Sequence, residues 1–79
     1  MLTLRGKDFR LTRHALDGAN AEGLHVHLIY DILEEEGQSA EIHRKQETRV
    51  HRRGRTIIIR WIEREDTFHV LNVSATRRR

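Results

Sequence analysis

Between residues 42 and 62 the chain sets Arg44, Lys45, Arg49, Arg52, Arg53, Arg55 and Arg60 against a single acid, Glu47, and its last three residues are Arg77-Arg78-Arg79. Arginine outnumbers lysine 13 to 2. A guanidinium is a planar fork of N–H donors that matches phosphate oxygens and stacks on bases, so this pattern suits binding of a nucleic-acid backbone. The same residues also suit a solvated edge strand, because an arginine-rich surface permits polyanion binding without requiring it.

Other chemistries find less in the chain. His25-x-His27 would bring two imidazoles together on a strand, but on a helix they point about 200° apart, and no HExxH-type pattern adds a ligand. With no Cys there is no thiol nucleophile, no Cys-ligated zinc and no disulfide scaffold. The five glycines, at 6, 18, 23, 37 and 54, fall singly, so neither a Walker loop nor a dinucleotide fingerprint is present. Glu34-Glu35-Glu36 and Glu63-Arg64-Glu65-Asp66 read as solvated turns. No metal and no cofactor are expected.

Composition bounds the setting. One domain is expected over 1–79, and a chain this short buries only about 60% of its unfolded surface, which makes a second copy or a partner a reasonable expectation. Leu, Ile, Val and Phe make up 21 of the 79 residues, above the roughly 20% below which charged chains stay disordered. Residues 1–40 carry 4 basic and 7 acidic side chains, whereas residues 41–79 carry 11 basic and 5 acidic. A polyanion would therefore meet the second half. The longest apolar run, Ile57-Ile58-Ile59, is far too short for a membrane span, and Met1 to Arg5 lacks a signal peptide's apolar region; a cytoplasmic protein with no membrane partner is expected.

The elements that must position these residues follow from hydrophobic spacing. Leu2, Leu4, Phe9 and Leu11 around Gly6-Lys7-Asp8 predict a short strand or hairpin arm. Thr12 caps a helix carrying Ala15, Leu16 and Ala19, which stops at Ala21-Glu22-Gly23. A second helix over 24–36 ends at Gly37; the alternation of Leu24, Val26, Leu28, Tyr30 and Ile32 would also fit a strand, but length and the three glutamates favour helix. Three antiparallel strands follow at about 41–52, 55–64 and 67–76.

A two-residue first turn pairs Val50 with Ile57, Thr48 with Ile59, Glu47 with Arg60 and Gln46 with Trp61. The second turn is expected to pair Ile59 with Leu71, Ile57 with Val73 and Trp61 with His69. The expected fold is thus α+β, in the order β-α-α-β-β-β, with two N-terminal helices packed on one face of a small antiparallel sheet. Val50, Ile57, Ile59, Trp61, Leu71, Val73 and Ala75 form the covered face. Lys45, Glu47, Arg49, Ile58, Arg60, Ile62, Phe68, Val70 and Asn72 form the open one, where a ligand or a homodimer partner would sit. Tyr30 is assigned to the core.

Thr12-Arg13-His14-Ala15-Leu16, then Glu22-Gly23-Leu24, an Ile-rich helix, Gly54-Arg55-Thr56-Ile57-Ile58-Ile59-Arg60 and Phe68-His69-Val70-Leu71-Asn72-Val73 together resemble a family of small domains. That family is grouped with the RelE/ParE/BrnT-like toxins of type II toxin–antitoxin modules, and the resemblance covers roughly residues 9–76. It implies a compact α+β fold whose open sheet face handles RNA, metal-independent messenger-RNA cleavage as the best-known activity, and a cognate antitoxin that wraps the domain. RNA, including ribosome-associated RNA, is the implied partner. Where the family carries a basic residue before the glycine of its second motif, this chain has Glu22.

Metal-independent cleavage needs a base for the 2′-hydroxyl, an acid for the leaving 5′-oxygen and cations on the phosphorane. His14 matches the family's histidine, and in the first turn of a helix the dipole favours its neutral, basic form. With Arg60 it makes the catalytic candidate pair. Arg49, Arg52, Arg53, Arg55, Arg60 and Arg77 are the nucleic-acid-binding candidates, with Arg49 and Arg60 foremost because they share the open face. The structural alternatives are that His14 only fixes the helix start, that Arg60 only pairs with Glu47 across the ladder, that His69 is a packed core histidine, and that the Arg77–Arg79 tail is solvated. A non-enzymatic nucleic-acid-binding or dimeric interaction module of the same fold is the alternative function.

Overall fold

A computed structural model describes residues 2–37, 41–52 and 54–77, with Arg77 described in its backbone only. The chain is an α+β fold with seven elements: β1 (Thr3–Leu4), β2 (Lys7–Leu11), α1 (Arg13–Ala21), α2 (Val26–Glu36), β3 (Lys45–Arg52), β4 (Arg55–Glu63) and β5 (Thr67–Arg77). The strands form one sheet in the order β1-β2-β5-β4-β3. β3, β4 and β5 are an antiparallel meander, as expected, but β2 lies parallel to β5, with Phe9 opposite Phe68 and Leu11 opposite Val70. The sheet is therefore mixed, not purely antiparallel. The two helices between β2 and the meander supply the crossover that a parallel pair needs.

The N-terminal arm is a hairpin of two strands, and its turn falls one residue earlier than Gly6-Lys7-Asp8 predicts. Leu4 pairs with Lys7, and Arg5 and Gly6 both take positive φ, 51° and 76°, as a tight hairpin turn requires. Glycine adopts that conformation at no steric cost.

Both helices begin and end near where capping chemistry places them. Thr12 is the N-cap of α1, its hydroxyl accepting from the Ala15 amide at 3.0 Å. α2 starts two residues late because His25 is itself the cap, its Nδ1 accepting from the His27 amide at 3.1 Å. That corrects the helical placement of His25, which is extended, while His27 lies in α2 as expected; the two rings sit edge-on 5.0 Å apart.

The register of β3 on β4 is the expected one, with Val50 opposite Ile57, Thr48 opposite Ile59 and Gln46 opposite Trp61. The β4–β5 register is not. Ile57 meets Ala75, Ile59 meets Val73 and Arg60 meets Asn72, after which Trp61 meets Val70 and Ile62 meets His69. Leu71 is the extra residue of a β-bulge, and it shifts the phase of everything before it in β5. Phe68 and Val70, assigned to the open face, are instead wholly buried core residues, while Leu71, assigned to the core, is half-buried. His69 lies on the other side of the strand from Phe68 and Val70 and does not stand beside Trp61.

One cluster takes Ala15 and Ala19 from α1, Ile29, Ile32 and Leu33 from α2, and Val50, Ile57, Ile59, Trp61, Phe68, Val70 and Val73 from the sheet. The four aromatic residues form a chain of ring contacts through it. Trp61 stacks on Phe68 at 4.6 Å, Phe68 lies 6.3 Å from Phe9, and Phe9 meets the edge of Tyr30 at 5.3 Å. Tyr30 is only half-buried because its hydroxyl reaches out to donate to the Thr3 carbonyl at 2.6 Å. Trp61 and Thr48 satisfy each other inside the core through an Nε1 to Oγ1 bond of 2.9 Å. Ile62 is buried but stands outside this cluster, in keeping with its place on the other face of β4.

Candidate nucleic-acid interface

Two positions are set by the junction of α1 with the bulge. The Thr12 amide donates to the Val70 carbonyl at 3.0 Å and its hydroxyl donates to the Leu71 carbonyl at 3.1 Å. The bulge takes Leu71 out of the ladder with β4, and Thr12 receives its carbonyl instead. Two residues later, in the first turn of α1, the His14 side chain is exposed.

The result is a shallow cleft of about 490 Å³ lined by His14, Lys45, Gln46, Glu47, Arg60, Leu71 and Asn72. Glu47, Arg60 and Asn72 form one row across β3, β4 and β5. His14 and Arg60, far apart in sequence, therefore line the same concavity. Lys45 and Asn72 belong to it as well, although neither was a site candidate; their place could be read only from the β3–β4–β5 register.

Electrostatically the centre of this row is Glu47. Arg49 Nε donates to its Oε2 at 2.7 Å and Arg60 Nε to its Oε1 at 3.3 Å, so one carboxylate spans two guanidiniums. The Arg49 hydrogen bond, with the charges of both arginines behind it, holds the Glu47 carboxyl below the usual carboxylate range. Glu47 is thus a fixed negative charge at neutral pH and not a proton donor. The side chains of Arg49 and Arg60 remain 62% and 63% exposed, so incoming phosphate oxygens can reach both groups.

Of the other arginine candidates, Arg49, Arg52 and Arg55 do not line this cleft. A second one, of about 760 Å³ beside the β3–β4 hairpin, is lined by Arg49, His51, Arg52, Arg55 and Glu36 above Leu24, Leu28, Val50 and Ile57. Arg52 approaches Glu35 at 3.5 Å. Arg55 donates through Nη2 to the Glu22 carbonyl at 3.0 Å and reaches its carboxylate at 3.4 Å, while its Nε is buried without a partner. Glu22 thus ties the end of α1 to β4 through Arg55, a cation at a helix C-terminus. Arg49 links the two clefts, because it lines the second and binds the Glu47 of the first. Arg77 ends β5 opposite Arg55, and Arg53 lies outside the described residues.

Among the described residues no group of three His, Cys, Asp or Glu side chains is placed to hold a metal ion, and no helix is long and apolar enough to cross a membrane.

The chain matches no protein-family model, no curated protein and no solved structure. What bears on its function is therefore the chemistry of the two clefts.

Proposed function

We propose that this protein is a toxin-like RNA-interacting domain whose open sheet face binds the sugar–phosphate backbone and whose His14 cleft supports metal-independent cleavage. The carrying observation is that His14 and Arg60 line one concavity with Lys45 and Asn72. In this reading the two helices cover one face of the sheet and leave the other to RNA. An imidazole that can take and return a proton sits beside cations that can stabilise a pentacovalent phosphorane. The 2′-oxygen attacks the adjacent phosphorus as its proton is removed, the bond to the 5′-oxygen breaks, and that oxygen takes up a proton, leaving a 2′,3′-cyclic phosphate. His14 serves as the acid/base group and Arg60 as the phosphate ligand, with Arg49 holding the neighbouring phosphate. A cognate antitoxin that shields this face, and a cytoplasmic location where messenger RNA or ribosomes are met, belong to the same proposal.

One observation favours a second reading, a non-enzymatic nucleic-acid-binding or dimeric module. Glu47 already occupies the Nε donors of both Arg49 and Arg60, which positions them for backbone contacts without leaving either dedicated to a transition state.

Incubation of the purified protein with labelled RNA in EDTA at several salt concentrations separates the two. Products ending in 2′,3′-cyclic phosphate, absent with His14→Ala, support the ribonuclease. Salt-sensitive retention without product supports the binding module, and then Arg60→Ala lowers the slope of log affinity against log salt by roughly 0.7 for each phosphate the variant no longer neutralises. Neither product nor retention overturns both.

A further inference from the structure

β3 closes one end of the sheet, and among the described residues no strand pairs with its far side. Its eight residues, Lys45-Gln46-Glu47-Thr48-Arg49-Val50-His51-Arg52, present unpaired backbone groups along that edge. Such an edge is a template for another strand, and charged side chains ordinarily keep it from being used. Here the charges alternate in a way that is complementary to themselves.

In an antiparallel ladder, alternate residues turn their N–H and C=O groups to one neighbour and the rest to the other. A two-residue loop hydrogen-bonds the pair that closes it, here Arg52 and Arg55, so Val50, Thr48 and Gln46 bond to β4. Lys45, Glu47, Arg49 and His51 then turn their backbone groups outward. A second copy related by a two-fold axis at Thr48 pairs these outward residues with one another, Glu47 opposite Arg49 on both sides of the axis and Lys45 opposite His51. Moving the register by one ladder step in one direction opposes Glu47 to Glu47, and in the other Arg49 to Arg49. Both steps are disfavoured, since like charges directly opposite destabilise a sheet and opposite charges support it.

We infer that β3 is a self-complementary edge through which two copies of this chain join antiparallel into one continuous ten-stranded sheet, in the register that places Glu47 of each copy opposite Arg49 of the other. The contact is isologous and closes on itself, as a two-fold dimer requires. It also turns the exposed faces of the two sheets to the same side, which brings the two His14 clefts onto one continuous surface. This inference does not rest on the RNA reading: the dimer stands or fails by its mass, and the ribonuclease by its product.

Sedimentation velocity over roughly two decades of protein concentration tests it. The expected result is a species of twice 9.4 kDa, a shift to the monomer with Arg49→Glu, which opposes Glu47 to a second acid, and return of the dimer in the double variant Glu47→Arg/Arg49→Glu, which restores opposite signs. A monomeric wild-type protein overturns the inference, as does a dimer that persists in Arg49→Glu. Should a variant lose its far-UV circular dichroism, hydrogen exchange of the wild-type protein decides the matter. Protection of the Glu47 and Arg49 amides that rises with concentration supports the paired edge. Amides that stay unprotected in a dimer place the contact away from the β3 edge and overturn it.

Discussion

The Thr12 hydroxyl does two tasks at once, accepting from the Ala15 amide at 3.0 Å and donating to the carbonyl of Leu71 at 3.1 Å. The first caps α1 and the second anchors that helix start to the bulge of β5. This side chain, with the Thr12 amide bonded to the Val70 carbonyl, fixes the helix start that carries His14. Thr12→Val removes both bonds and is expected to cost about 1–2 kcal/mol, the ordinary loss for a cap, with Thr12→Ser restoring most of it. If His14 is the acid/base group, Thr12→Val lowers turnover more than RNA affinity and Thr12→Ser recovers it. Urea denaturation and single-turnover kinetics read the two effects.

Gly18 sits where α1 crosses β5, and a Cβ built on it would come within 2.4 Å of the Val73 carbonyl oxygen. Helix propensity alone would make Gly18→Ala stabilising by about 1 kcal/mol. The clash is with backbone, which cannot step aside as a flexible side chain can, so α1 must move away from the sheet. Overpacking of this kind costs about 1–3 kcal/mol. The expected sign is therefore a loss of stability, seen as a lower thermal midpoint; a gain would show that α1 rides on β5 with room to spare.

Thr48 is a buried polar residue whose hydroxyl accepts from the Trp61 indole. Thr48→Val keeps the shape and the strand propensity but leaves the indole N–H unpaired. That omission costs about 1–3 kcal/mol, more than valine's better burial returns. Trp61 is the only tryptophan, so denaturation followed by its fluorescence reports directly from the altered site.

Glu47 makes stability depend on acid. Its carboxyl is held below the usual range when folded, chiefly by the Arg49 hydrogen bond, so the unfolded chain takes up a proton first as pH falls. Its contribution is present above the ordinary glutamate range and is lost as pH drops through the folded-state value. Glu47→Gln is expected to denature earlier than wild type at neutral pH and to converge with it in acid, once pH has fallen through the lowered folded-state value. The difference should shrink in high salt because the cluster is exposed. Denaturation midpoints measured against pH check the sign; a gap that widens in acid would contradict it.

Much of the candidate site was legible before the fold. The density of arginine around Glu47, the cap at Thr12, the stop at Gly37 and the β3–β4 register all follow from local rules, because caps and two-residue turns act over a few residues. The Glu47–Arg60 pair followed directly from that register. The bulge left a readable trace as well: the apolar alternation of β5 runs through Phe68 and Val70, then resumes out of phase at Val73 and Ala75. Taking β5 as one uninterrupted strand put Phe68 and Val70 on the wrong face.

Spacing, caps and composition are properties of neighbouring residues, and they suffice for the set of elements and the charge those elements carry. The parallel pairing of β2 with β5, the bond from the Thr12 hydroxyl to the Leu71 carbonyl, and the division that puts His14 with Arg60 in one cleft and Arg52 with Arg55 in another arise only in three dimensions. They bring together segments remote in the chain. Which of them form depends on the packing that buries Trp61, Phe68, Phe9 and the helix faces together, and no local pattern encodes that choice.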